Sequence, residues 1–300
     1  ERGDRFANPN IFQNGKKIET TIDDYGPNIF SNFIVDYIER NKNTPFFVYY
    51  PMALVHDPFR PTPDSEDWND LSKRNIGNNP KYFSEMVTYM DKVIGEISDA
   101  LTKNNLDKNT ILIFLGDNGT DTKVTTLNNG YQIQGSKGRT IKHASNVPLI
   151  INWNTKINDY RVSDALIDLT DFYATFEDIL NVKNHESYGK SLIPLLLDDS
   201  YLERDVLVTY YNPMWSTRGL DRGIFAQSKD YKLYKKGEFF KYSEDIYEKR
   251  QSYQNEVEND FTINTKLRIC GGKQNIIVTE NTKKMIENGE FRQDLYYRLK

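Results

Sequence analysis

The run ILIFL at residues 111–115 is apolar at every position, and it ends just before an acid and an amide, Asp117 and Asn118. A strand without polar positions must be buried on both faces, which is typical of α/β sheets that are covered by helices. Two further apolar runs, TPFFVYY at 44–50 and VPLIINW at 147–153, predict buried strands of the same kind.

Three segments have apolar residues at helical spacing and predict helices, at 28–41, 80–104 and 163–180. Ser163 is the predicted N-cap of the third helix. The stripe of the second helix consists of Met86, Met90, Val93, Ile94, Ile97 and Leu101. Residues 116–146, rich in Gly, Asn and Thr, predict a long loop. Strands that alternate with helices predict an α/β fold.

Beyond residue 200 the pattern changes to short runs separated by turn residues, namely DVLVTYY, RGIFAQ, YKLYKK and EFFKYS. This spacing predicts a small antiparallel sheet. We therefore divide the chain into an α/β core at 1–200, a small antiparallel subdomain at 201–248 and an unassigned tail at 249–300.

The side-chain inventory limits the cations that this chain could bind. One cysteine, Cys270, and three histidines exclude a four-cysteine or Cys/His zinc site. Oxygen ligands must then dominate any metal site, and these ligands favour calcium or magnesium. The net charge of -4 argues against general nucleic-acid binding. No apolar run approaches the ~20 residues of a membrane-spanning helix.

Chemically useful side chains follow the predicted strands, where ligands bind in open α/β sheets. His56 lies six residues past the apolar run at 44–50. Asp117 and Asn118 follow the run at 111–115. Lys137 lies in the loop GSKGRT. Two oxygen ligands, an imidazole and an ammonium suit an oxyanion such as sulfate or phosphate. The alternative for Asp-Asn-Gly is a plain turn, since these residue types are common in turns.

The order of the motifs resembles that of the sulfatase family, which has an alkaline-phosphatase-like fold. PFFVYYPMALVHDPFRP resembles the family's strand followed by His-x-Pro-Phe, and ILIFLGDNG resembles its Asp-Asn-Gly strand end. GSKGRTIKHASNVPLIINW resembles its Gly-x-Lys-Gly loop and Val-Pro-Leu-Ile strand. YGKSLIPLLL resembles its Gly-x-Ser-Leu-x-Pro-Leu-Leu segment. The resemblance covers about residues 5–248 and implies an alkaline-phosphatase-like α/β sheet flanked by helices, with a small C-terminal antiparallel subdomain.

The resemblance implies that Asp117 and Asn118 ligate a divalent cation, commonly Ca²⁺, with Mg²⁺ as the alternative. It also implies that Lys137 and His56 contact the sulfate and the leaving oxygen of a sulfated small molecule or glycan. His143 stands where the family more often has a small or acidic residue, so we expect it to be structural or substrate-facing. The family expectation for location is periplasmic or extracellular, although ERGDRFANPN at the start has no hydrophobic signal core.

The family's nucleophile is a formylglycine made within a Cys/Ser-x-Pro-x-Arg motif, which does not occur in this sequence. Cys270 lies in RICGGKQ, without the proline or the arginine. We therefore expect the chain to be the C-terminal part of a sulfatase, inactive alone, with the formylglycine upstream. One alternative is a phosphoryl or phosphonate hydrolase of the same superfamily with another nucleophile. Another is a module that binds sulfated glycans without cleaving them.

The last residues, MIENGEFRQDLYYRLK at 285–300, resemble a segment of bacterial enhancer-binding AAA-type ATPases. The phosphate-binding Gly-x-x-x-x-Gly-Lys-Ser/Thr loop of those ATPases is absent from the sequence. We therefore assign no ATPase function to this segment.

Overall fold

The computed structural model describes residues 5–74, 77–157, 160–182, 188–197, 203–212 and 223–249. The helices are α1 (Gly26–Asn41), α2 (Leu71–Arg74), α3 (Phe83–Lys103), α4 (Lys142–Ser145), α5 (Thr170–Leu180) and α6 (Ile193–Leu197). The strands are β1 (Phe12–Gln13), β2 (Lys16–Lys17), β3 (Leu112–Leu115), β4 (Thr125–Asn128), β5 (Tyr131–Gln134), β6 (Leu149–Asn152), β7 (Leu207–Tyr211), β8 (Gly223–Gln227), β9 (Lys232–Tyr234) and β10 (Phe239–Phe240).

The chain forms two compact units. The first comprises Glu1–Lys137 and Asn146–Asn158, and the second comprises Gly138–Ser145 and Asp159–Lys300. The proposed division at 200 and 248 stays a prediction, and residues 250–300, with the ATPase-like segment, lie outside the described residues. Within the described ranges, no helix is long and apolar enough to cross a membrane.

Helix α3 organises the core of the first unit, and its predicted apolar stripe is confirmed. Met86 and Val93 are completely buried. The cluster around them consists of Phe6, Tyr25, Leu54, Phe59, Tyr82, Met86, Tyr89, Val93 and Val124. Helix α1, also predicted, packs Ile34 and Ile38 against the C-terminal half of α3. Each fully buried side chain of this kind contributes about 1.5–3 kcal/mol.

Strand β3 pairs with β6 in an antiparallel ladder that sets Leu115 opposite Leu149. The amide N–H of Gly116 donates to the carbonyl of Pro148 at 3.0 Å, which extends the pairing to the residue before Asp117. Both strands are confirmed, but their burial is only partial, since Ile150 is 62% exposed.

The predicted strand at 44–50 is wrong for the described residues. The segment is not assigned to any strand, and Phe47 and Tyr49 are 71% and 79% exposed. A strand requires a neighbouring strand that shares its ladder of hydrogen bonds. No segment in the described ranges supplies that neighbour, so the apolar pattern alone does not produce a strand there.

The predicted long loop at 116–146 is also wrong, because it contains a β-hairpin and the short helix α4. Strands β4 and β5 pair with Asn128 opposite Tyr131, leaving a two-residue turn at Asn129 and Gly130. Both turn residues have positive φ, 50° and 83°. Asn-Gly in a two-residue loop is the strongest short-range hairpin signal, so this hairpin was visible in the sequence.

A close backbone contact closes the base of the hairpin at Gly135. Its N–H donates to the carbonyl of Val124 at 2.9 Å. A Cβ atom at Gly135 would lie 2.1 Å from the carbonyl oxygen of Asp121 and 2.5 Å from that of Thr120. Only glycine allows the two backbone segments to approach this closely.

The second unit contains the predicted antiparallel sheet, with strand order β10-β9-β8-β7. Lys232 on β9 is completely buried and donates hydrogen bonds of 2.6 Å to the carbonyl of Thr140 and to Oε1 of Glu248. Burial lowers the pKa of Lys232, and the nearby Glu248 carboxylate opposes that shift. The hydroxyl of Tyr234 donates to Oγ1 of Thr140 at 2.9 Å. These hydrogen bonds connect the segment around Thr140 to the sheet.

Helix α5 covers only the second part of the helix predicted at 163–180, and Ser163 is not its N-cap. The Oγ of Ser163 instead accepts from the N–H of Ala165 at 3.2 Å in a local turn. The helix begins at Thr170, whose N–H and hydroxyl donate to Oδ1 of Asp168 at 2.9 and 2.6 Å. Local side-chain bonds of this type compete with helix formation.

Asp171 at the start of α5 is completely buried and forms a bidentate ion pair with Arg204, at 2.9 and 2.6 Å. Its two oxygens also accept the N–H groups of Asp168 and Lys190, both at 2.7 Å. Burial raises the pKa of Asp171, but the guanidinium and the two N–H donors outweigh burial and lower the pKa.

We predict that Asp171→Asn lowers the free energy of unfolding by about 3 kcal/mol, because it leaves a buried guanidinium without its counter-charge. The pKa of Asp171 is lowered on folding, so its contribution is present above about pH 4 and is lost as the pH falls through the folded pKa. The stability difference between the two proteins should therefore shrink in acid. Thermal unfolding between pH 3 and 7 measures it.

The matched control is Asp164→Asn, which removes an exposed partner of Lys229 and should change stability by less than about 1 kcal/mol. Equal stability of wild type and Asp171→Asn at pH 7 would contradict the prediction.

We predict that Gly135→Ala destabilises the first unit, because the new methyl group would overlap the carbonyl oxygens of Asp121 and Thr120. The matched control is Gly95→Ala in α3, where a Cβ meets no atom within 4 Å. That control should raise stability by up to about 1 kcal/mol, the difference in helix propensity. Thermal unfolding followed by circular dichroism compares the two, and equal melting temperatures would contradict the prediction.

Candidate functional site

Asp117 and Asn118 lie at the tip of β3, and both are exposed. In the part of the chain that the structure describes, neither side chain makes a hydrogen bond or an ion pair. A plain Asx-turn would have its side-chain oxygen accept from the N–H two residues on. Asp121 shows that pattern, with Oδ1 accepting from the N–H of Lys123 at 2.8 Å. The oxygens of Asp117 and Asn118 are therefore available for an external ligand.

Lys137 follows the hairpin and returns toward the end of β3. Its N–H donates to the carbonyl of Thr120 at 3.0 Å, while Gly135 bonds to Val124. These two bonds align the chain before Lys137 with the chain that leaves Asn118. The Lys137 side chain is half-buried, and its ammonium has no partner within the described ranges. An ammonium without an internal counter-charge suits an anionic ligand.

His56 is held by core residues on both sides, since Leu54 and Phe59 are buried in the α3 cluster. Its Nδ1 lies 2.6 Å from the carbonyl oxygen of Asp57 and 2.9 Å from Oδ1 of the same residue. Because these oxygens can only accept, Nδ1 carries the proton. The side chain is 44% exposed, and Nε2 makes no bond to the described residues, so it can accept or donate a proton to a ligand.

Asp57 connects the His56 segment to the loop after β3. Its Oδ2 lies 3.3 Å from Nζ of Lys123 and accepts from Nδ2 of Asn78 at 3.2 Å. Partial burial raises the pKa of Asp57, but Lys123, His56 and Asn78 together lower it. The carboxylate therefore stays ionised beside the imidazole. Sequence analysis missed Asp57, Lys123 and Asn78, because their contacts join positions 21 and 66 residues apart.

All four predicted site residues belong to the first unit. The Lys123–Asp57 pair links the His56 segment to the loop, and the Lys137–Thr120 bond links Lys137 to the same loop. Their assigned roles stay predictions.

His143 lies in α4, which belongs to the second unit. Its Nε2 is buried and has no hydrogen-bond partner among the described residues. Burial and the neighbouring Lys142 ammonium lower its pKa, which favours the neutral ring. These features agree with a structural or substrate-facing residue, and that expectation stays untested.

The donor set at the tip of β3 suits a hard cation. Asp117 and Asn118 offer a carboxylate and an amide oxygen in adjacent positions, and calcium takes about 6–8 oxygen ligands. Among the described residues, no group of three or more His, Cys, Asp or Glu side chains is arranged to hold a metal ion. The pair would therefore need further oxygen ligands to hold such a cation.

Curated proteins that are similar to this chain are named as sulfatases. An endo-4-O-sulfatase of Bacteroides thetaiotaomicron is 26% identical over 222 residues, which are 65% of this chain and 42% of that protein. An N-acetylgalactosamine-6-O-sulfatase of the same organism is 26% identical over 198 residues, which are 60% of this chain and 36% of that protein. The chain thus spans about two-fifths of the length of these relatives.

A solved structure supports the fold. It is a complex with D-glucosamine-2-N,6-O-disulfate as substrate, and it superposes with a TM-score of 0.65 at 18% identity. The match covers 86% of this chain and 71% of the solved one. The predicted alkaline-phosphatase-like α/β fold with a small C-terminal antiparallel sheet is therefore confirmed. The sulfatase family profile matches residues 3–182, more than half of the chain. This chain belongs to the sulfatase family.

Proposed function

We propose that this chain contributes part of the active site of a sulfuric ester hydrolase whose substrate is a sulfated carbohydrate. The observation that carries the proposal is that the side-chain oxygens of Asp117 and Asn118 have no partner among the described residues, while the N–H of Lys137 donates to the carbonyl of Thr120 in the same loop. Cation and ammonium together would neutralise a sulfuryl group. The carbohydrate substrate is inferred from relatives that are named for sulfated sugars.

Lys137 is proposed to contact the sulfate and offset its negative charge, since its ammonium has no competing partner in the described ranges. His56 is proposed to donate a proton from Nε2 to the leaving oxygen. Its Nδ1–H is fixed by Asp57, which orients the ring so that Nε2 is left for the substrate. This is the arrangement by which a carboxylate supports a histidine acid.

Asp117 and Asn118 are proposed to hold Ca²⁺ or Mg²⁺ together with ligands outside this pair. When bound, the cation would supply charge stabilisation to an oxygen of the sulfate. The sequence holds no formylglycine motif, so we propose that the nucleophile lies outside this chain and that the chain alone does not hydrolyse sulfate esters. A periplasmic or extracellular location is proposed on the same family basis.

We predict that Asp117→Ala in the native gene product lowers turnover of 4-nitrophenyl sulfate about 100-fold or more, because even outer-shell changes at metal sites cost about 10–100-fold. Added calcium in excess should restore part of this loss. Initial rates with added calcium and with a chelator measure both the loss of turnover and its restoration. The matched control is Asp164→Asn, an exposed aspartate that should keep wild-type rates.

Normal turnover by Asp117→Ala would reject the metal assignment. Faster cleavage of phenyl phosphate than of phenyl sulfate by the wild type would instead favour the phosphoryl hydrolase alternative.

We predict that His56→Gln slows hydrolysis of a sugar sulfate more than that of 4-nitrophenyl sulfate. A sugar hydroxyl is a poor leaving group that needs a proton, whereas nitrophenolate leaves without one. The loss of a general acid typically costs about 10²–10⁴-fold in rate. The ratio of kcat for the two substrates measures this effect, and equal losses on both would contradict the proton-donor role.

A further inference from the structure

The hairpin formed by β4 and β5 is exposed on both of its faces. All four residues of β4 and three of the four in β5 are exposed. Leu127 and Tyr131 are 74% and 75% exposed. A two-stranded hairpin is only marginally stable in water, so its fixed position depends on its base. There Val124 is buried in the α3 cluster and Gly135 bonds back to it.

Both ends of the hairpin are continuous with the candidate site. Lys123, which pairs with Asp57 beside His56, immediately precedes the hairpin base. Lys137 follows β5 after two residues. With a strand rise of about 3.4 Å, Tyr131 lies about 10 Å along the strand from Gln134. The tip of the hairpin therefore lies about 10 Å from its base, which adjoins the site.

The strand register separates the hairpin residues into two faces with different chemistry. Directly opposed residues share a face, and faces alternate along each strand. One face carries Tyr131, Asn128, Thr126 and Ile133, and the other carries Leu127, Gln132, Thr125 and Gln134. The Asn128 and Thr126 side chains make no hydrogen bond to described residues. The first face therefore offers an aromatic ring beside an unpaired amide and an unpaired hydroxyl.

Sugar is the ligand whose chemistry fits that face. The C–H surface of a pyranose ring stacks on an aromatic side chain, while its hydroxyls bond to amide and hydroxyl groups. A protein interface would be expected to bury a more apolar core than one tyrosine with polar neighbours. The segment from Val124 to Ser136 also contains no charged residue, so it does not repel a sulfated chain.

We propose that the face of Tyr131, Asn128 and Thr126 is a subsite for a sugar ring that neighbours the sulfated ring of an oligosaccharide substrate. The subsite stacks this ring on Tyr131 and bonds its hydroxyls through Asn128 and Thr126. The proposal rests on the proposed sulfatase function. It adds a residue set that selects oligosaccharides over small sulfate esters.

The test measures kcat and KM of the native gene product on 4-nitrophenyl sulfate and on sulfated oligosaccharides from disaccharide to hexasaccharide. The panel comprises sulfated galactosaminoglycan, glucosaminoglycan and galactan series. For the best series, KM should fall as the chain lengthens. Tyr131→Ala should raise the hexasaccharide KM about tenfold with kcat little changed, the size expected for one lost aromatic contact. Tyr131→Phe keeps the ring and should restore most of the affinity.

Leu127→Ala is the matched control, since Leu127 is as exposed as Tyr131 and lies on the opposite face. It should keep the wild-type ratio of hexasaccharide to aryl sulfate efficiency. An unchanged hexasaccharide KM in Tyr131→Ala overturns the subsite while the sulfatase proposal stands. A change of oligomeric mass in Tyr131→Ala would assign the face to a second copy and also overturn it. No turnover of any sulfate ester by the wild type would reject the proposed function itself.

Discussion

The packing of α3 against two separate segments of chain, one around His56 and one at the base of the hairpin, is the constraint on which the candidate site depends. Leu54 and Phe59 on either side of His56, and Val124 at the base of the hairpin, all enter the cluster formed around Met86 and Val93. Burial of these apolar side chains fixes the course of the backbone at each segment. Because the hydrophobic effect acts only on apolar area, the polar side chains between the buried residues stay exposed. The site is therefore a set of polar positions carried by segments that the core holds in place.

Ion pairs act differently in the two units. Asp171 is buried and the side chain of Arg204 is 11% exposed, and each oxygen of the carboxylate accepts one bond from the guanidinium and one from a backbone N–H. The two charges are therefore paired with each other, and the ion pair has a structural role. At the candidate site, Lys123 partly neutralises Asp57 at 3.3 Å, but Asp117 and Lys137 have no partner among the described residues. Unused charge on a fixed backbone suits ligand binding.

Periodic and local signals in the sequence predicted most elements of the structure. Helices α1 and α3, strands β3 and β6 and the C-terminal sheet were recognised from apolar spacing. The hairpin turn at Asn129 and Gly130 carried a recognisable signal that the loop interpretation overlooked. The run at 44–50 failed for another reason. Its composition favours a strand, but strand formation depends on a hydrogen-bonding neighbour that no local pattern can supply.

The sequence by itself determined the family, through an ordered set of motifs, and it identified His56, Asp117, Asn118 and Lys137 as candidates. It also determined that the chain contains no formylglycine motif and no four-cysteine or Cys/His ligand set for zinc. Only the tertiary structure decided that the His56 segment meets the loop after β3 through Asp57 and Lys123, and that one face of the hairpin is aromatic and polar. These contacts join residues far apart in the chain or depend on strand register, and both are set by packing and pairing of the folded backbone.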